Sequence, residues 1–205
     1  MKLECGPAHS IRRIDINLPV NYTRVGVMVS GGIDSTILYY LVLSLAKNTD
    51  YYVRPFAVKR KEGSVYHAKP CVEEVGRLFN RENDFPTFVG DNTLPEMQQV
   101  ESGLLDAYNF AKMQAMYIGV IANRPEHLIG YDKTIVNETQ DLRLPFQYLE
   151  KSHVVDLYYR FGVEYLLAYT HSCDSSEHEH CWDCNGCNER VWAFKELNKK
   201  DPKRT

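Results

Sequence analysis

The chain has 205 residues, enough for one domain with a sizeable core and too few for two ordinary ones. Hydrophobic residues make up 44% and charged residues 25%, which excludes a disordered polymer. A net charge of -3 argues against an obligate nucleic-acid binder, which would carry a basic face. The N-terminus (Lys2, Glu4, His9, Arg12, Arg13) is polar and predicts no secretory leader. No stretch reaches the roughly 18 apolar residues that span a bilayer. A cytosolic, reducing setting is therefore expected, where six cysteines point to metal binding or catalysis rather than disulfides.

In chain order, Val25 to Val29 has a buried-strand pattern, and Ile33 to Ala46 is apolar and helical in length. Tyr51 to Val58 predicts a second strand, Pro70 to Phe79 a helix, and Phe85 to Val89 a third strand. Leu104 to Ala122 gives the longest predicted helix, followed by a short strand at His127 to Gly130. Lys151 to Phe161 predicts another helix, Val163 to Tyr169 leads into the cysteines, and Arg190 to Leu197 predicts the last helix. Lys199, Lys200, Lys203 and Arg204 form a solvated basic end. Alternating strands and helices imply an α/β fold, a doubly wound and mostly parallel sheet. One domain over 1–205 is expected, with a core over about 22–170 and a metal-bound segment over about 171–198.

The apolar strand runs straight into Ser30-Gly31-Gly32-Ile33-Asp34-Ser35-Thr36. Paired glycines allow a sharp turn and close approach to a ligand. The helix that follows offers free N–H groups and the positive end of its dipole to a phosphate. Ser30, Ser35 and Thr36 add hydroxyls. Asp34 would repel phosphate unless a cation lay between, which assigns it to Mg²⁺. A plain strand-turn-helix with an Asp/Ser cap is the bland alternative. The Gly-x-x-x-x-Gly-Lys phosphate loop is absent, and with it the lysine that reaches terminal phosphates.

Cys173, Cys181, Cys184 and Cys187 fall in one short segment, the last three as Cys-x-x-Cys-x-x-Cys. Four thiolates at this spacing suit a closed tetrahedral Zn²⁺ site with a structural role. An iron–sulfur cluster and redox-active thiols stay open as alternatives. His171, His178 and His180 are expected in solvent or behind the ligands, and Cys5 and Cys71 as small buried or tail residues.

Ser30 to Ser35 resembles the Ser-Gly-Gly-x-Asp-Ser signature of the PP-loop ATP pyrophosphatases. That resemblance implies ATP as substrate, its pyrophosphate held by the loop, and Asp34 and Ser35 in catalytic roles. The tail (Ser172-Cys173, the three-cysteine run, Arg190, Ala193-Phe194) is similar to that of 7-cyano-7-deazaguanine synthases. Pro145, Lys151 and Asp201-Pro202 also fit that pattern. The resemblance implies ATP-dependent conversion of 7-carboxy-7-deazaguanine and ammonia to the nitrile, and a homodimer. Two places depart from the family. Glu101-Ser102-Gly103-Leu104 stands where it carries Pro-Gly-Arg-Asn, and Gly130-Tyr131-Asp132-Lys133-Thr134 lacks its Tyr-Pro-Asp. Arg143 or Lys133 could supply a cation for a carboxylate, and Phe56, Val58 and Lys59 could flank adenine. Two other functions stay open. One is a PP-loop ligase or sulfur transferase on another substrate such as a tRNA base, for which Cys71 is the mid-chain thiol. The other is a non-catalytic zinc-stapled binding module.

Overall fold

The computed structural model describes residues 1–59, 65–121, 141–174 and 179–204. Strands β1 (Lys2–Cys5) and β2 (Arg12–Asp15) form an antiparallel hairpin that the polar N-terminal sequence did not suggest. Then come β3 (Arg24–Met28), α1 (Ile33–Ala46), β4 (Tyr52–Val58), α2 (Val65–Arg77), β5 (Thr87–Val89) and α3 (Glu96–Asn109). The chain continues through β6 (Ala115–Ile118), β7 (Leu142–Arg143), α4 (Lys151–Arg160), a 3-10 helix (Glu164–Ala168) and α5 (Asn185–Glu196). Strands β3 to β7 make a parallel sheet in the order β5-β4-β3-β6-β7. Helices cover both faces, as the sequence implied. Among the described residues, no helix is long and apolar enough to cross a membrane.

Successive strand residues face opposite ways. Val25, Val27, Ala115 and Tyr117 join the larger core with residues of α1, α2, α4 and α5. Met28, Phe56, Val89 and Met116 join Ala107 of α3 in the smaller one. Strand β3 lies at the centre, with β4 on one side and β6 on the other. This is the switch point of an open parallel sheet, where ligands bind beyond the carboxyl ends of the strands.

Three expected elements need correction. The helix expected over Leu104 to Ala122 is two elements. Helix α3 begins at Glu96 and ends at Asn109, and Ala115–Ile118 is a strand beside β3. Glu101 to Leu104 therefore sits inside a helix, where Gly103 packs closely on Val58 and Val89. Helix α2 starts before Pro70 and holds it in its interior, and α5 starts within the cysteine run. The strand expected at His127 to Gly130 lies outside the described residues.

The N-terminal hairpin is tied to α4 by His153, which is fully buried. Its Nε2 donates to the Ser10 carbonyl at 2.7 Å, and its Nδ1 accepts from the Glu150 N–H at 3.2 Å. Burial pushes the His153 pKa below its ordinary 6.5, against the pull of the Ser10 carbonyl and Glu150. The unfolded chain then binds this proton more readily than the folded one. Stability from this site is intact above pH 6.5 and is lost as pH falls below it. His153→Gln should flatten the fall in Tm between about pH 7 and pH 5, compared with the native chain. Parallel Tm–pH slopes would remove His153 from the acid response.

Candidate active site and metal centre

The loop leaves β3 and closes on itself. Ser30 N–H donates to Ser35 Oγ at 3.1 Å, Gly32 N–H to Ser30 Oγ at 3.3 Å, and Ser35 Oγ to the Gly32 carbonyl at 3.3 Å. Gly31 adopts φ +85°, and a Cβ there would lie 2.3 Å from the His67 backbone. Only glycine fits that position without displacing α2. Neighbouring elements hold the loop's carbonyls. His171 N–H donates to Gly31 O at 2.9 Å, and Tyr158 Oη to Ile33 O at 2.6 Å. The amides that open α1 lack intrahelical partners by construction, which suits an anion at this helix start.

Of the expected loop ligands, Ser30 is exposed and Ser35 nearly covered, while Ile33 and Thr36 are buried. Ile33 can offer only its backbone. The Thr36 hydroxyl is buried without a hydrogen-bond partner among the described residues. Burial pushes Cys71 up to about 11. That thiol donates to the Gly31 and Tyr169 carbonyls at 3.6 and 3.5 Å, so it braces the loop.

Asp34 occupies the first turn of α1, and Lys151 of α4 closes on its Oδ2 as an ion pair. Glu189 of α5 places Oε2 3.4 Å from the same Nζ. Burial disfavours the Lys151 charge, but Asp34 and Glu189 outweigh it and its pKa is raised. Helix α4 thus places a buried ammonium against the loop's own carboxylate. Sequence reasoning placed Lys151 only in a family pattern and missed Glu189. A lysine in the first turn of a helix opposes the dipole. That was the available signal that its partner lay elsewhere.

Of the residues expected to flank adenine, Phe56 stands next to the loop, its carbonyl accepting from Val29 N–H at 2.7 Å. Phe56 is fully buried in the smaller core, Val58 is half-buried, and Lys59 is exposed. Arg143 and Pro145 line a cavity of about 270 Å³ with Asp15, Asn17 and Tyr117, and no residue from Ser30 to Thr36 lines it. Lys133, the segment Gly130 to Thr134 and His178 lie outside the described residues.

Beside the loop, His67 and His171 stack at 3.8 Å with rings 4° apart. His180 and Trp182 extend the column at 4.7 and 4.9 Å. His180 Nε2 accepts from Ser172 N–H at 3.1 Å. Burial, then Arg190, lowers its pKa to about 4, so it is a neutral acceptor at neutral pH.

The Sγ atoms of Cys173, Cys181, Cys184 and Cys187 lie within 4.8 Å of one another. A tetrahedral zinc–thiolate centre spaces its sulfurs by roughly 3.8 Å, given Zn–S bonds of about 2.3 Å. Cys184 Sγ is 3.8 Å from Cys173 Sγ. Backbone N–H groups of Asp174 and Cys184 donate to Cys184 and Cys181 sulfurs, both at 3.3 Å. Such donors favour thiolate, and the set fits a four-sulfur metal centre. Arg190, fully buried three residues on, joins α5 to Asp201, Thr170 and Leu167.

Residues 121–198 match the family described as "Queuosine biosynthesis protein QueC". The chain is similar to the 7-cyano-7-deazaguanine synthase of Caldicellulosiruptor saccharolyticus, 23% identical over 87% of this chain and 94% of that one. It is 31% identical to the synthase of Thermoplasma volcanium over 93 residues, 42% of this chain and 38% of that one. The Thermoplasma acidophilum synthase is 28% identical over the same shares. The chain thus spans well under half the length of the two Thermoplasma relatives in these matches.

Proposed function

We propose that this protein uses ATP and ammonia to convert 7-carboxy-7-deazaguanine to 7-cyano-7-deazaguanine. The observation that carries the reading is the Ser30–Thr36 loop at the sheet's switch point, with Asp34 and Lys151 meeting beneath it. A carboxylate is a poor electrophile. Its oxygen attacks the α-phosphorus of ATP, and pyrophosphate leaves into the loop. Ammonia then adds at the acyl carbon and AMP departs, giving the amide. A second adenylation at the amide oxygen, with loss of AMP and the two N–H protons, gives the nitrile. The loop amides and hydroxyls orient the phosphates, and Asp34 is assigned to Mg²⁺, which would neutralise phosphate charge. The cysteine cluster is assigned to structural Zn²⁺. Ammonia as nitrogen donor, a homodimer and a cytosolic setting complete the reading.

Cys71 weighs against sulfur transfer, because its thiol is buried, held protonated and engaged with the Gly31 carbonyl of the loop. The test is mass spectrometry of the metal-loaded protein with ATP, Mg²⁺, ammonium and the carboxylate. The nitrile is expected, and Asp34→Asn should slow its formation about a hundredfold. The Asp34→Asn fold should persist, since Lys151 keeps Glu189 as a partner. Amide alone would mean a reaction that stops halfway. Nucleotide binding without any deazapurine product would transfer the reading to a PP-loop ligase on another substrate.

A further inference from the structure

We infer that Glu189, on the helix that leaves the cysteine cluster, is a positioning residue of the nucleotide loop. It shares Lys151 with Asp34, and so keeps Asp34 available to a divalent cation. The inference rests on the reading of the loop as a Mg–ATP site.

Asp34 and Lys151 come from the first turns of α1 and α4, and Glu189 from the second turn of α5. Lys151 and Glu189 are almost fully buried. A purely structural pair needs one carboxylate for one ammonium. Here a second carboxylate is carried into a low-dielectric site, where desolvating a charge is costly. One cation divided between two carboxylates neutralises neither. Without Glu189, Lys151 and Asp34 would form a closed neutral pair, and Mg²⁺ would have to break it. With Glu189, the three groups carry a net charge of about -1, which favours a further cation at Asp34.

Glu189 is also two residues beyond Cys187 and adjacent to Arg190, which bonds Asp201, Thr170 and Leu167. The segment that holds the metal thereby sets where Glu189 stands. This gives the cysteine cluster a route to the loop without any ligand of its own reaching ATP.

The test is the Mg²⁺ concentration for half-maximal binding of α,β-methylene ATP to the full, metal-loaded chain. Glu189→Gln should raise it about tenfold. Nucleotide affinity at saturating Mg²⁺ should stay within about twofold, and the metal content of the cysteine cluster should be unchanged. Adding Lys151→Gln removes the competing cation, and the Mg²⁺ requirement should return towards the native one. A merely structural Glu189 predicts the opposite, two defects worse than one. An unchanged Mg²⁺ requirement in Glu189→Gln, or a double variant worse than the single, would overturn the inference. Should Glu189→Gln not fold, Lys151→Gln alone decides. Its Mg²⁺ requirement must be equal to or below the native one, and a rise would overturn the inference. A native protein that binds no nucleotide at any Mg²⁺ concentration would overturn the inference and the proposed function together. Native binding with Glu189→Gln unaffected removes the inference alone.

Discussion

Cys184→Ser should release the metal from the C-terminal segment and lower Tm by about 10 °C. Cys184 is the N-cap residue of α5, and its sulfur faces that of Cys173 at 3.8 Å. Serine is a favoured N-cap residue, so the substitution spares the helix start and removes only a sulfur. It leaves three thiolates, too few to close a four-sulfur site. Structural zinc contributes about 10–16 kcal/mol in peptides that fold only with metal. Here α5 also packs through Ala193 and Phe194 on the larger core. The expected loss is therefore a fraction of that, about 3–4 kcal/mol, or roughly 2–4 °C each in a chain of this size. Elemental analysis with calorimetry checks both parts. Metal lost with Tm unchanged would remove the cluster's structural role.

What could be read from the sequence was local. An apolar strand, two glycines and a hydroxyl-rich helix start are consecutive residues, and the structure has them as β3, the loop and α1. The four cysteines were similarly legible, since their close spacing nearly dictates their meeting. Strand β6 was not. Its Ala-Met-Tyr-Ile is buried from both faces of the sheet, and periodicity cannot separate such a run from a buried helix. The break before it turns at Lys112, with φ +57°, and a non-glycine residue there leaves no mark in the sequence. Of the basic end read as solvated, Lys199, Lys200 and Arg204 are exposed, and only Lys203 is half-buried, beside the buried Asp201. The Asp34–Lys151 pair spans 117 positions, and only the fold brings its members together.

Arg190→Met should cost about 3–5 kcal/mol, because it strips the partner from a buried carboxylate. Arg190 is fully buried, and Asp201 is 6% exposed. Nε donates to Asp201 Oδ2 at 2.7 Å and Nη2 to Oδ1 at 2.8 Å, a bidentate pairing. Nη1 donates to Thr170 Oγ1 at 2.9 Å, and Nη2 to the Leu167 carbonyl at 3.1 Å. One side chain thus joins α5, the 3-10 helix and the C-terminal turn. Methionine fills much of the volume and leaves Asp201, Thr170 and Leu167 short of donors. Lysine keeps the charge but cannot reproduce the fork, so Arg190→Lys should recover only a minor part. Denaturant unfolding with the cysteine cluster loaded measures the loss, and a cost under about 1 kcal/mol would make the pair incidental. Because Glu189 and Cys187 share its helix, Arg190→Met should also weaken metal retention. A chain with a loosened α5 would keep the loop's residues and lose the register in which Lys151 meets Asp34.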